Sequence, residues 1–87
     1  MPARSKPPLS EATRIVGDRI RARREELGLS QEKLAERAGL HWTYIGQVER
    51  GVRNLGLHNV VRIAGSLEVD PGSLVVGLAV SDLPPSD

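Results

Sequence analysis

The sequence predicts an all-α fold, a compact bundle of five short helices. Three kinds of signal support this prediction. Apolar residues recur at helical spacing with charged residues between them, residues that cap helix N-termini precede these segments, and glycines follow them. The apolar positions of the first segment are Ala12, Val16, Ile20 and Leu27.

The first helix is expected to start at Ser10 and to end at Leu27, before Gly28. Ser30 caps a second helix that lasts about two turns and ends at Gly39. A third helix is predicted at about residues 42–50, with Gly51 after it.

A loop over residues 52–56 leads to a fourth helix rich in apolar residues, from Leu57 to Leu67. Asp70 and Pro71 then have the residue types of an N-cap and a first helical position, which predicts a fifth helix through about Gly77. Residues 74–80, LVVGLAV, are rich in β-branched side chains, so a strand or extended arm remains an alternative there. Flexible tails are expected at residues 1–9 and 79–87, around a single domain at 10–78.

Composition excludes several classes of function. The 87 residues contain no cysteine, and no run of about 18 apolar residues that could span a membrane. The N-terminus has no apolar segment typical of a signal peptide, so we expect a cytoplasmic protein. We predict no metal site, because the two histidines, His41 and His58, have no carboxylate cluster beside them. No catalytic set or phosphate-binding loop is recognisable, which argues against an enzyme and gives no sign of a cofactor or small-molecule effector.

The charge is unevenly distributed although its net value is only +1. Residues 1–24 carry seven basic and two acidic side chains, whereas residues 54–87 carry one basic and four acidic. Such an asymmetry is compatible with an anionic partner on one face, and equally with a solvated arginine-rich helix.

The second and third predicted helices have the features of a helix-turn-helix. Gly39 tolerates the left-handed conformation that a tight turn requires, and Ala35 is small enough for a close helix crossing. The positions expected to face inward are all apolar, namely Leu34, Ala38, Leu40, Ile45 and Val48.

The stretch LSQEKLAERAGLHWTYIGQVERG resembles the Cro/repressor-type, or XRE-like, helix-turn-helix family. The resemblance extends from about Ser10 to Leu78 and implies a lambda-repressor-like domain that regulates transcription. It implies a homodimer on a pseudo-palindromic operator in double-stranded DNA, with the third helix in the major groove. In size, the chain is similar to controller proteins of restriction–modification systems and to short phage repressors.

A helical wheel of the third helix divides its side chains between two faces. Ile45, Val48 and Glu49 face inward, whereas Thr43 and Gln47 face outward and are expected to contact DNA bases. Trp42 and Tyr44, on the two flanks, are the remaining candidates for base contact. For Trp42, base contact and packing remain equal alternatives.

The residues expected to contact phosphates are Gln31, Arg50, Arg53 and Asn54. Arg4 and Lys6 are candidates for a minor-groove arm, or belong to an unstructured tail. The resemblance also implies a structural ion pair between Arg24 and Glu49.

The last third of the chain has more apolar residues than a thin domain can bury, which predicts an interface. The expected dimer residues are Leu67, Leu74, Val75 and Leu78. An alternative is an antitoxin-type or other protein-binding module, in which the C-terminal tail binds a partner while the same helix-turn-helix represses its own operon.

Overall fold

The computed structural model describes residues 6–86 and confirms the five-helix prediction. The helices are α1 (Glu11–Glu26), α2 (Gln31–Ala38), α3 (Trp42–Glu49), α4 (Leu57–Ser66) and α5 (Pro71–Val75), followed by a 3-10 helix (Val80–Asp82). No strand occurs between residues 6 and 86, so the strand alternative for residues 74–80 is wrong. Helix α5 ends at Val75, two residues earlier than the sequence predicted.

Side-chain caps fix where the helices begin. At α1 the Ser10 hydroxyl accepts from the Thr13 N–H, and the Thr13 hydroxyl accepts from the Ser10 N–H, each at 3.1 Å. The Ser30 hydroxyl accepts from the Lys33 N–H at the start of α2. The Asp70 carboxylate accepts from the Gly72 N–H at the start of α5. These bonds satisfy amides that have no partner within the first turn of a helix.

The core lies where all five helices meet. Helix α1 packs against α3 and α5, α2 packs against α3 and α4, and α4 packs against α5. The largest fully buried side chains come from α1 to α4 and from the residue that follows α4: Ile20, Leu34, Ile45, Val48, Ile63 and Leu67. Because α3 is packed from both sides, its orientation depends on both α1 and α2.

Most arginines of α1 are engaged within the protein. The Arg19 guanidinium donates to the carbonyls of Leu74 at 3.2 Å and Val76 at 2.7 Å, at the end of α5. The Arg23 Nε donates to the Leu67 carbonyl at 3.0 Å. These bonds satisfy carbonyls at helix ends.

Two further arginines of α1 form exposed ion pairs on the helix surface, Arg14 with Glu11 and Asp18, and Arg21 with Glu25. Most of the positive charge of α1 therefore contacts other groups of the same chain, and little of it is left as an open anion-binding face. Of the predicted N-terminal arm, Lys6 is exposed, and Arg4 lies outside the described residues.

Gly17 marks the closest approach of α1 to α3. A Cβ atom at this position would lie 2.5 Å from the Val48 carbonyl oxygen and 2.7 Å from that of Glu49. Both obstacles are backbone atoms of α3, so they cannot move aside as a flexible side chain would. Gly65 in α4 provides a contrast, because a Cβ there meets nothing within 4 Å.

We predict opposite effects for alanine at these two glycines. Gly17→Ala should lower the free energy of unfolding by about 2 kcal/mol or more, since overpacking against backbone forces α1 away from α3. Gly65→Ala should raise it by up to about 1 kcal/mol, through helix propensity alone. Urea unfolding followed by circular dichroism measures both. A Gly17→Ala protein as stable as the native one would contradict a close contact between the two helix backbones.

Candidate nucleic-acid interface

Helices α2 and α3 are joined by a tight turn at Gly39. This residue has φ 69° and ψ 31°, the left-handed conformation that the sequence predicts. The Leu40 N–H donates to the Ala35 carbonyl at 3.0 Å, which closes the turn. Ala35 is only 3% exposed, as a small residue at a helix crossing should be.

His41 caps α3 more effectively than its residue type suggests. Its Nδ1 atom accepts from the Thr43 N–H at 3.2 Å and lies 2.7 Å from the Thr43 hydroxyl oxygen. The His41 ring also stacks on the Trp42 ring, with centroids 6.0 Å apart and planes 26° from parallel. The first turn of α3 is thus ordered by an imidazole, although serine and threonine are the more common N-caps.

The outer face of α3 carries the residues predicted to contact bases. Thr43 is exposed, Trp42 is 52% exposed and Gln47 is half-buried, whereas Ile45 and Val48 are in the core. The Thr43 hydroxyl is engaged with the His41 ring at the start of the helix.

Tyr44 lies further inward than the other three candidates. Its ring is partly buried against the core, and its hydroxyl accepts from the Asn59 Nδ2 of α4 at 3.1 Å. Asn59 in turn accepts from the Arg62 guanidinium at 2.9 Å. Asn59 was not predicted as a site residue, because nothing in the periodicity of α4 indicates a partner on α3.

Gly46 is buried, and its surroundings are polar. A Cβ atom at this position would lie 3.4 Å from the Arg50 Nη1 and 3.5 Å from the Gln31 Oε1. The absent side chain therefore leaves space for Gln31 and Arg50 beside α3.

Arg53 and Gln47 are directly bonded. The Arg53 Nε donates to the Gln47 Oε1 at 2.8 Å, and the Arg53 guanidinium carbon is 5.7 Å from the centroid of the Tyr44 ring. Arg50 and Asn54, which are predicted to contact phosphates, are both exposed and are close to this pair in the sequence.

A buried ion pair fixes the inner side of α3. The Arg24 guanidinium donates to the Glu49 carboxylate through Nε at 2.6 Å and through Nη2 at 3.0 Å. The Gln31 Nε2 donates to the same carboxylate at 3.0 Å, and Arg24 also donates to the Leu29 carbonyl at 2.8 Å. The pair thus joins α1, α2 and α3.

Burial makes this pair different from those on the surface. The Arg24 and Glu49 side chains are 12% and 3% exposed. The hydrogen bonds to Glu49 raise the pKa of Arg24 above its ordinary value, because they stabilise the charged guanidinium. Gln31 was predicted only as a phosphate contact, and its second role, toward Glu49, was missed.

The loop after α3 is anchored to the start of α1. The Gly51 carbonyl accepts from the Leu9 N–H at 2.9 Å and from the Thr13 hydroxyl at 2.7 Å. Gly51 has φ 77°, and a Cβ there would be 3.0 Å from the Arg14 Cα. The loop that carries Arg53 and Asn54 therefore leaves α3 in a defined direction.

The structure corrects two of the four residues predicted for the dimer interface. Leu67 is fully buried and Leu74 is 2% exposed, so both belong to the core of their own chain. Val75 is 41% exposed and Leu78 is partly buried. These last two line an apolar cavity of about 280 Å³, together with Leu83 and other residues.

The exposed apolar side chains lie mainly in the second half of the chain. They include Leu57, Val61, Val76 and Val80. The sequence shows that these residues are apolar. It does not distinguish them from Leu67 and Leu74, which are buried because α5 folds back onto the core. Among the described residues, no helix is long and apolar enough to cross a membrane.

The geometry of α2, the Gly39 turn and α3 defines a helix-turn-helix protein. The model of the helix-turn-helix family HTH_3 matches residues 20–74, more than half of the chain. The chain belongs to this family. It is 42% identical over 62 residues to control protein C.BamHI from Bacillus amyloliquefaciens, a match that covers 70% of this chain and 76% of that protein.

Comparison with solved structures also finds helix-turn-helix proteins. The restriction–modification controller protein C.AhdI from Aeromonas hydrophila is 44% identical with a TM-score of 0.70, covering 71% of this chain and 94% of that one. The P22 c2 repressor, solved in complex with a synthetic operator, is 31% identical with a TM-score of 0.69, covering 74% of this chain and 97% of that one. These likenesses confirm the lambda-repressor-like fold.

We predict that Glu49→Gln destabilises the fold strongly. It leaves the buried Arg24 charge without its counterion, which should cost about 3 kcal/mol. Glu11→Gln is the matched control, because it removes a carboxylate from an exposed pair and should change stability little. Urea unfolding midpoints at neutral pH compare the two, and equal midpoints would refute a central role for the buried pair.

Proposed function

We propose that this protein is a sequence-specific DNA-binding regulator of transcription, of the controller-protein type. It acts as a homodimer on a pseudo-palindromic operator, with α3 of each protomer in the major groove. The observation that carries the proposal is the exposed outer face of α3, on a helix whose inner side is fixed by the buried Arg24–Glu49 pair. Similarity to C.BamHI and C.AhdI supports it, as does similarity to a repressor solved on its operator.

Each side chain on the outer face of α3 has a role in this proposal. Thr43 contacts a thymine methyl group through its own methyl, because its hydroxyl is bonded to His41. Gln47 hydrogen-bonds to a base edge. Trp42 presents half of its surface beside them and contacts apolar parts of bases or sugars. Tyr44 acts mainly at the border with α4, where its hydroxyl is held by Asn59.

Phosphate contacts surround this face. Arg50 and Asn54 are exposed near the C-terminal end of α3, where they would bind one strand. Gln31 lies at the first position of α2, where the backbone N–H groups and the helix dipole favour a phosphate. One amide hydrogen of Gln31 is used by Glu49, which leaves the other for the phosphate.

Dimerisation uses the exposed valines at the end of α5. Val75 and Val76 are exposed although they follow the buried Leu74, and a surface of this kind is costly unless it is covered. A second copy covers it with the same surface under twofold symmetry, which matches a palindromic operator. The proposal involves no catalytic step and places the protein in the cytoplasm, where the DNA is.

Selection of binding sites from random DNA is the direct test of the function. The protein should enrich a palindromic sequence whose half-sites are about 10 base pairs apart. Thr43→Val keeps the methyl group and should preserve a thymine preference, whereas Thr43→Ser removes it and should weaken this preference at one position per half-site. Absence of any enrichment at low salt would refute the proposed function.

Dimerisation has its own test, Val76→Asp. A carboxylate in the apolar interface should weaken self-association at least about tenfold, since a buried unpaired charge is costly. Ala22→Asp on α1 is the control and should leave association unchanged. Sedimentation equilibrium without DNA compares the variants. Native protein that stays monomeric at high micromolar concentration, with or without operator, would rule out the homodimer.

A further inference from the structure

We propose that Arg53 is a positioning residue for Gln47, and that the two together select guanine at one base pair of each half-site. This inference rests on the proposed function. It goes beyond the sequence-based expectation, in which Gln47 reads a base alone and Arg53 binds only phosphate.

The bond between the two side chains fixes the orientation of the Gln47 amide. A guanidinium has only donors, so the amide atom 2.8 Å from the Arg53 Nε must be the oxygen Oε1. The Gln47 NH₂ group therefore points away from Arg53. An isolated glutamine on the outside of a helix would rotate freely between the two orientations.

Arg53 is itself held by its surroundings. Its guanidinium carbon lies 5.7 Å from the centroid of the Tyr44 ring, within the range of a cation–π interaction. Tyr44 is fixed by burial of its ring and by the hydrogen bond from Asn59. The loop that carries Arg53 is fixed by the two hydrogen bonds to the Gly51 carbonyl. The orientation of Gln47 is thus connected to α1 and α4.

The fixed amide changes which base is favoured. A free glutamine offers one acceptor and one donor, which matches the N6 amino group and N7 of adenine. Because Arg53 holds Oε1 on its own side, the group left to face a base is the Gln47 NH₂, whose two hydrogens are both donors. Guanine presents two acceptors, O6 and N7, in the major groove, whereas adenine presents an amino group beside N7. A set of donors alone favours guanine.

The test compares four variants with native protein: Gln47→Ala, Arg53→Met, the double variant, and Arg50→Met. Met keeps most of the arginine stem and removes its donors and charge. Arg50→Met is the matched control, because Arg50 is an exposed arginine at the end of α3 whose proposed partner is a phosphate. Circular dichroism verifies that each variant is folded. Fluorescence anisotropy then measures the Kd for the selected operator and for duplexes in which the base pair affected by Gln47→Ala is changed.

Native protein should prefer guanine over adenine at that pair on the order of tenfold. Arg53→Met should abolish the preference or shift it to adenine, because the Gln47 amide is free to rotate. The double variant should discriminate no differently from Gln47→Ala alone. Arg50→Met should weaken binding to all duplexes by the same factor and leave every base preference unchanged.

Three results separate the possibilities. If native protein selects no sequence at all, the proposed function fails, and this inference fails with it. If native protein selects an operator but prefers adenine at the Gln47 pair, only the inference is overturned. The inference alone is also overturned if Arg53→Met behaves like Arg50→Met, lowering all affinities equally, since Arg53 would then be a phosphate contact alone.

Discussion

The buried ion pair between Arg24 and Glu49 sets the position of α3 relative to α1 and α2. Glu49 is the last residue of α3, and its carboxylate accepts hydrogen bonds from α1 through Arg24 and from α2 through Gln31. One buried charge thus fixes three helices relative to one another. Removing both charges from water is costly and offsets much of their attraction. The main effect of the pair is therefore to fix the relative positions of the helices, and its net contribution to the free energy of unfolding is smaller.

A defined geometry matters because the functional helix is short. Helix α3 has eight residues, and an isolated helix of that length is not stable in water. Its conformation depends on Ile45 and Val48 in the core, on the His41 cap and on the Glu49 pair. The hydrogen bonds to Glu49 raise the pKa of Arg24, so the contribution of its charge to stability is lost only as the pH rises through that pKa and is fully present around neutral pH.

Much of the fold could be predicted from the sequence, because its signals are local. Ser10, Ser30 and Asp70 indicate helix starts, and Gly39 indicates a left-handed turn that the structure contains. The outward position of Thr43 follows from the period of one helix. Local signals failed where tertiary packing decides. The β-branched run at 74–80 left a strand open as an alternative to the fifth helix, but Leu74 lies in α5 and is buried in the core.

The contacts around the outer face of α3 could not be predicted in the same way. The bonds of Arg53 to Gln47 and of Asn59 to Tyr44 join residues 6 and 15 positions apart, across a loop or between helices. No periodicity specifies such a partner. The charge count over the first third of the chain was misleading for a related reason. It treats all basic residues alike, whereas Arg19 and Arg23 donate hydrogen bonds to carbonyls of their own chain.

In the proposed complex, the outer face of α3 is the surface that meets DNA. An NMR titration of ¹⁵N-labelled protein with its selected operator duplex tests it most directly, residue by residue. The largest amide shift changes should fall on α3, on the loop carrying Arg53 and on the first turn of α2. Changes concentrated on residues 57–80, with α3 unaffected, would contradict the claim.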